Sequence, residues 1–284
     1  MIRSIQLVSF DLDYTLLNSD HVLADKHIKW LQAISQDHVL VFASGRPLEA
    51  MIPIAAQVGQ GVVDYLISNN GCENVNAQGD IFYEVFLQEK LVRQVVKQAF
   101  QYGVHPHFYH GPHIVGFYDS PFIRRDEKVT KLPITIESNV DNAIADKAIH
   151  KLIIMGEPVK MAAFHTSLSS FADINPILAK PYFMEVPPKG IHKGYALGIL
   201  TEKLGMTMDQ VMSFGDSFND VEMLRDSGLG LAVANAMPGV KQAADRVLTI
   251  SCDDNLAELA YGLLDDANRS ELLATYSHLY EEIA

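Results

Sequence analysis

The stretch Ser9-Phe10-Asp11-Leu12-Asp13-Tyr14-Thr15-Leu16-Leu17 follows directly on the apolar run Ile5-Gln6-Leu7-Val8. A short apolar run of this kind reads as a buried strand, the type from which parallel sheets covered on both faces are built. Ligands of open α/β sheets gather at the carboxyl ends of the strands, so Asp11 and Asp13 stand where chemistry is expected. Two carboxylates in a partly dry site repel each other and persist together when a cation or shared protons offset that repulsion. Oxygen ligands suit a hard divalent ion such as magnesium. Read alone, Asp-x-Asp-x-Thr is equally a turn that caps the next helix, because aspartate starts turns readily.

The chain beyond this tip alternates in the manner of an α/β domain. Residues 16–22 read as an irregular or hairpin excursion, and 25–35 have helical spacing, with Ile28, Leu31 and Ile34 on one face. Val39-Leu40-Val41-Phe42-Ala43 is a second buried strand, ending in Ser44-Gly45-Arg46-Pro47. Proline fits a first helical turn, which places the Ser44 hydroxyl and the Gly45 N–H near a helix N-terminus, a natural anion site; the alternative is a plain capping serine. Residues 65–68 form a third strand, followed by the turn signal Asn69-Asn70-Gly71.

From about Gln78 the texture changes to hairpins mixed with helices: strands at 81–86, 105–110, 114–118, 152–155 and 182–186, and helices at 89–102 and 159–169. This reads as an inserted α+β module closed by the turn-rich Pro187-Pro188-Lys189-Gly190. The domain limits are therefore 1–79 and 189–284 for the core and 80–188 for the insertion. Within it His105, His107, His110 and His113 crowd together, but no carboxylate or cysteine accompanies them, so they read as solvated loop and strand residues rather than a metal site. The alternation resumes at Lys193, with a helix at 195–204 and a strand at 211–214 that ends in Gly215-Asp216-Ser217-Phe218-Asn219-Asp220. A helix at 221–225, strands near 230–233 and 246–250, and a mostly helical stretch from Asn255 onward complete the pattern.

Composition narrows the function classes. The 284 residues are 48% hydrophobic and 20% charged, which places the chain with globular proteins and suits two domains. A net charge of -13 argues against general affinity for nucleic acid or an anionic membrane, both of which need basic surface. Met1-Ile2-Arg3-Ser4 leads into the first strand without a signal-type segment, and no apolar run is long enough to span a bilayer, so a soluble cytoplasmic protein is expected. Cys72 and Cys252 lack metal-type spacing and read as reduced packing thiols.

Three apolar strands thus end in polar tips: Asp11 and Asp13, Ser44, and Asp216 with Asn219 and Asp220. If the strands are parallel neighbours, right-handed crossovers bring all three tips to one edge of the sheet. Asp216 can then join Asp11 around one magnesium ion, and Lys193, at a helix start, supplies local positive charge. The alternative for Lys193 is the usual fate of lysine, a solvated surface position.

The Asp-x-Asp-x-Thr tip, Ala43-Ser44-Gly45-Arg46, Ile191-His192-Lys193-Gly194-Tyr195-Ala196-Leu197 and Gly215-Asp216-Ser217-Phe218-Asn219-Asp220 together resemble the four ordered motifs of the haloacid dehalogenase superfamily. Their order and spacing resemble its Cof-type branch, whose large α/β cap lies between the second and third motifs. The resemblance implies a Rossmann-like doubly wound parallel sheet with an inserted α+β cap that sets substrate specificity. It implies that Asp11 is the nucleophile of an aspartyl-phosphate mechanism and that Asp13 is the general acid and then the base, with a raised pKa. It further implies that Asp11, the Asp13 backbone carbonyl and Asp216 hold magnesium, and that Ser44, Gly45, Lys193 and Asn219 hold the phosphoryl group. Asp220 would orient Lys193 or a metal-bound water, and Thr15 would fix the loop. Tyr14 departs from the pattern, standing where the family commonly has glycine.

The function expected from this is magnesium-dependent hydrolysis of small phosphorylated metabolites, of the sugar phosphate, pyridoxal phosphate or flavin mononucleotide type. A phosphomutase or phosphotransferase using the same intermediate, or a magnesium-dependent binding protein without turnover, are the competing classes. A metal-dependent glycosyltransferase would leave Lys193 and the segment 215–220 unexplained.

Overall fold

In the computed structural model, which describes residues 4–280, the strand that carries Asp11 is the centre of a nine-stranded sheet. The expectation for Met1 to Arg3 lies outside the described residues, as does the end of the C-terminal stretch. Strand β1 (Leu7–Asp11) is flanked by β2 (Val39–Ala43), and beyond it lie β3 (Tyr65–Ser68), β4 (Glu73–Asn76) and β5 (Ile81–Glu84). The inserted segment supplies β6 (His105–His110), β7 (His113–Gly116), β8 (Ile134–Ile136), β9 (Leu152–Met155), β10 (Ile177–Lys180) and β11 (Phe183–Val186). The chain then returns to the large sheet with β12 (Val211–Gly215), β13 (Leu229–Ala232), β14 (Arg246–Leu248) and β15 (Ser277–His278). The order across the large sheet is β15-β14-β13-β12-β1-β2-β3-β4-β5. It is parallel from β14 to β3, with antiparallel β15 and β4 added at its flanks.

Alternation along β1 explains why both faces of this sheet are covered. Val8 and Phe10 enter one apolar cluster with Leu31, Leu40, Phe42, Met51 and Leu256, while Leu7 enters another with Val41, Ile67, Ala196, Leu197 and Leu200. Successive side chains point to opposite faces, so a strand that sends apolar side chains to both sides is sandwiched between helices. Phe10 stacks on Phe214 of β12 at 4.8 Å between ring centroids, fixing the two central strands that carry Asp11 and Asp216. Helix Lys193–Lys203 packs on the second face with its first residue at the strand tips. This is the doubly wound α/β core expected from the sequence.

The chain divides into two compact units, one running up to Tyr83 and again from His192 onward, the other Glu84–Ile191. One element differs from the sequence reading. Ile81–Glu84, read as the first strand of the insertion, is the outermost strand of the core sheet. The inserted unit has its own six-stranded sheet, β10-β11-β9-β6-β7-β8, antiparallel except for the β7–β8 pair. One of its faces carries the helices Glu89–Tyr102 and Pro158–Ser167 over Phe108, Val115, Leu152, Ile154, Met184 and Val186.

The histidine-rich stretch of this unit is not a solvated group. His107 is fully buried and its Nε2 donates to Asp126 Oδ2 at 3.0 Å, with the Tyr109 hydroxyl donating to the same oxygen at 2.8 Å. His105 packs half-buried against Tyr118 and Phe122, whereas His110 and His113 are exposed and face each other across the β6–β7 pair. The two-residue period of β6 puts His105 and His107 on one face and His110 on the other, which disperses the cluster. Among the described residues these histidines do not form a metal-ligating group. Both cysteines are buried thiols outside any disulfide, and no helix of the described residues is long and apolar enough to cross a membrane.

Candidate active site

The three polar strand tips meet because β12, β1 and β2 are adjacent and parallel, with Phe10 paired to Phe214 and Asp11 to Ala43. Asp11 ends β1, and Asp216 and Ser44 each follow directly on their strands. Lys193 is fully buried, and its Nζ donates to Asp11 Oδ1 at 2.6 Å and to Asp220 Oδ1 at 2.7 Å. Asp220 is held in turn through Oδ2, which accepts the backbone N–H groups of Asp216 and Ser217 at 3.0 Å each. This close approach requires glycine at 215, because a Cβ there would lie 2.6 Å from the Asp220 Cβ. Thr15 reaches across from the β1 loop and donates its hydroxyl proton to Asp216 Oδ1 at 3.2 Å.

Asp13 faces a different set of partners. The guanidinium of Arg46 grips its carboxylate with both prongs, Nε to Oδ2 at 2.8 Å and Nη2 to Oδ1 at 2.7 Å, and His21 Nδ1 donates to Oδ1 as well. His21 Nε2 accepts the Tyr14 hydroxyl at 3.2 Å, and the two rings meet edge to face. Tyr14 adopts φ 62°, the left-handed conformation that suits the glycine common at this place. Such a conformation costs a non-glycine residue roughly 1–2 kcal/mol. The Asn235 side chain donating to the Tyr14 carbonyl at 2.7 Å and the contact with His21 help to offset it.

These surroundings set unequal acidities. Burial first, and the Asp220 charge second, push Asp11 up to about 7 against the pull of Lys193. Asp216 is raised well above the usual carboxylate range, again by burial first and then by Asp11 and Asp220. For Lys193, burial disfavours the charge, but Asp11 and Asp220 outweigh it and hold the ammonium protonated beyond its ordinary range. Burial also acts to raise Asp13, yet the hydrogen bonds from Arg46 and then His21 prevail and keep it well below the ordinary range. This corrects the expectation of a raised Asp13. The raising influence of burial is present, but a buried arginine two residues after Ser44 reverses it.

Ser44 is not the helix cap. Its Oγ accepts the Arg46 N–H at 3.1 Å, turning the loop so that Arg46 points back toward Asp13, and helix Leu48–Val58 starts after Pro47 without a side-chain cap. Asn219 is engaged with Asn70 rather than with Lys193, its Nδ2 donating to Asn70 Oδ1 at 2.9 Å. Three participants escaped the sequence reading. Arg46 stood inside the Ser-Gly-Arg motif without a role, Asn70 read only as a turn residue, and nothing in the sequence signalled His21.

The acids also satisfy the requirement for a cation. Carboxylate oxygens of Asp11, Asp216 and Asp220 all lie within 4.8 Å of one another. Both oxygens of Asp220 are already taken by Lys193 and backbone N–H groups, which leaves Asp11 and Asp216 as the pair with ligand capacity. Among the described residues Lys193 and Arg46 are the lysine and arginine seen bonded to Asp11, Asp13 or Asp220, so with all four acids ionised the cluster carries about two surplus negative charges. A divalent cation would balance that surplus and relieve the mutual repulsion that adds to burial in raising Asp11 and Asp216.

A family model described as haloacid dehalogenase-like hydrolase matches residues 8–259. The chain belongs to this family. Among solved structures, a haloacid dehalogenase-like hydrolase from Bacteroides thetaiotaomicron is 31% identical and superposes with a TM-score of 0.83, covering 90% of this chain and 98% of that one. A subclass IIB sugar phosphatase of the superfamily, 22% identical with a TM-score of 0.77 over 89% of this chain and 96% of that one, shares the fold. Among curated relatives, an HMP-PP phosphatase of Yersinia enterocolitica is 28% identical over 255 residues, 88% of this chain and 91% of the relative. An HMP-PP phosphatase of Yersinia pseudotuberculosis is 29% identical over 248 residues, 84% of this chain and 86% of the relative. In this chain the second compact unit, Glu84–Ile191, falls between the Ser44 and Lys193 segments.

Proposed function

We propose that the protein is a magnesium-dependent phosphomonoesterase that hydrolyses small phosphorylated metabolites through an aspartyl-phosphate on Asp11. The observation that carries this reading is the buried Lys193 ammonium, hydrogen-bonded at once to Asp11 and Asp220 at a sheet tip that also presents Asp216. Phosphoryl transfer asks for in-line placement and charge neutralisation rather than elaborate covalent chemistry, and this cluster is built for both. Asp11 and Asp216, with the Asp13 backbone carbonyl, would hold Mg2+. When bound, the ion supplies charge neutralisation for the phosphoryl oxygens and keeps Asp11 ionised.

Asp11, at the end of a strand rigid on both faces, attacks phosphorus, and the ester oxygen departs. Asp13 gives that oxygen its proton and later takes one from the water that releases phosphate, leaving free Asp11 and inorganic phosphate. Arg46 and His21 keep Asp13 ionised in the unliganded protein, which suits the second task. For the first, an arriving phosphoryl dianion competes with Asp13 for the Arg46 fork, since guanidinium matches phosphate and carboxylate equally well. Losing that partner beside a new negative charge raises Asp13 toward the acid form. Ser44, Gly45 and Asn219 would receive the remaining phosphoryl oxygens, and the inserted unit would select the rest of the substrate. HMP-PP, named for several relatives, is the first compound to assay alongside sugar phosphates, pyridoxal phosphate and flavin mononucleotide.

The test is phosphate release from such a panel with and without Mg2+, for the wild type and Asp11→Asn. Activity that needs both Mg2+ and the Asp11 carboxylate is expected, in a variant that still folds. Undiminished release by Asp11→Asn would refute the mechanism.

A further inference from the structure

The turn after β3, Asn69–Gly71, sits where the Ser44 loop, the Lys193 helix and the Asn219 loop meet. Three consecutive residues here have positive φ: Asn69 at 51°, Asn70 at 59° and Gly71 at 94°. Left-handed backbone is uncommon outside glycine, and a run of it persists only where the surroundings hold it in place. The holding contacts are specific. The Asn69 N–H donates to the Arg46 carbonyl at 2.8 Å and the Asn70 N–H to the Ser44 carbonyl at 3.0 Å. Gly71 lies against the start of the Lys193 helix, where a Cβ would come within 2.8 Å of the His192 carbonyl oxygen and 2.9 Å of the Ala196 Cβ. Asn70 Oδ1 accepts from Asn219 Nδ2 at 2.9 Å.

That last bond uses one end of each amide and leaves the other ends over. Asn70 is 1% exposed, and its Nδ2 is buried without a hydrogen-bond partner, as is Asn219 Oδ1. Buried side-chain donors are nearly always paired, so each exception asks for an explanation. A planar amide whose oxygen is fixed on Asn219 and whose backbone is fixed on Ser44 keeps its N–H2 group close to the two segments that the functional reading gives to the phosphoryl group. An anionic phosphoryl oxygen is the acceptor that fits there.

We propose that Asn70 is a further residue of the phosphoryl site, holding Asn219 in place through Oδ1 and donating through Nδ2 to the group being transferred. The proposal rests on the phosphatase reading above. In a purely structural role Asn70 would serve only as a left-handed turn residue, which glycine fills without strain and aspartate tolerates well. Asn70→Gly keeps the backbone and removes the amide, while Asn70→Asp keeps the acceptor for Asn219 and removes the donor.

The experiment measures inorganic phosphate binding by calorimetry in the presence of Mg2+, kcat/KM on p-nitrophenyl phosphate, and melting temperature for the wild type and both variants. Asn70→Asp is expected to melt with the wild type and Asn70→Gly a few degrees below it through the lost Asn219 bond, and both to bind phosphate at least about tenfold more weakly and to lose at least about tenfold in kcat/KM, as befits a lost hydrogen bond to a charged group. Wild-type phosphate affinity in either variant would overturn the proposal. A wild type that binds phosphate but turns over no phosphomonoester would refute the functional reading while leaving the Asn70 assignment to be judged on binding. A wild type that binds no phosphate would refute both.

Discussion

Replacing Lys193 by methionine removes one cation from between two buried carboxylates, and the structure sets the size of the consequence. Lys193 is fully buried, and its ammonium donates to two acids, at 2.6 Å to Asp11 and 2.7 Å to Asp220. Breaking a buried pair by deleting one partner costs about 3–5 kcal/mol, because the surviving charge is left uncompensated. At a few degrees per kcal/mol for a unit of this size, the melting temperature of metal-free protein falls by roughly 6–20 °C at pH 8.5. The loss depends on pH in a fixed direction. Lys193 is the influence that lowers Asp11, so its removal lifts a folded-state pKa that already stands at about 7, above the unfolded value of 3.8. The folded variant therefore prefers the protonated acid, is least penalised at low pH, and loses stability as pH rises through the folded pKa. Melting curves of the wild type and Lys193→Met at pH 5.5 and 8.5 should show the smaller gap at the lower pH. Adding Asp220→Asn removes one surplus charge and should recover about half of the stability. It should recover none of the activity, which falls at least about a hundredfold once the cation beside the phosphoryl group is gone. A Lys193→Met protein as stable as the wild type at pH 8.5, or a double variant no more stable than the single one, would refute this account of the buried triad.

Arg46→Ala should raise the Asp13 carboxyl, because the bidentate guanidinium is the largest of the influences that hold it down. A 13C NMR titration of the Asp13 carboxyl in substrate-free protein should then show a higher midpoint than in the wild type, and an unmoved midpoint would dissociate Arg46 from the acidity of Asp13. His27 is fully buried in helix Asp25–Asp37, and its pKa falls to about 4 through burial first and Lys26 second. The folded state keeps the ring neutral while the unfolded chain protonates near 6.5, so stability drops as pH falls from 6.5 toward 4, by up to about 3 kcal/mol. Urea denaturation of the wild type and His27→Gln across this window should show the slope flattened in the variant.

What the sequence disclosed and what it withheld divide along the reach of each interaction. Strands that end in Asp11, Ser44 and Asp216 were legible because an apolar run followed by polar residues is a local signal, and parallel crossovers then leave few ways to arrange the tips. The short apolar run of β1 likewise foretold a strand buried on both faces. Ile81–Glu84 was assigned to the wrong sheet because strand character does not say which sheet edge a strand joins. The acidity of Asp13 was misjudged for a related reason. Its depression comes from Arg46 and His21, thirty-three and eight residues away, and depends on the Ser44 turn and on the left-handed Tyr14 and His21. No periodicity encodes such a meeting of two loops. Asn70 was visible only as part of a turn, because a turn signal fixes the backbone and does not say what the side chain meets.

The central claim, a covalent phosphoryl group on Asp11, is tested most directly by trapping it. Protein in excess over a radiolabelled phosphomonoester, with Mg2+, is quenched in acid during the first turnover; one portion is counted for protein-bound label, and in another the acyl phosphate is reduced with tritiated borohydride, which releases the phosphate and marks the peptide that carried it. The account predicts hydroxylamine-labile label on the peptide of β1, conversion of Asp11 to homoserine, and no label in Asp11→Asn. Turnover with no protein-bound label at any quench time, or label on a residue other than Asp11, would contradict it.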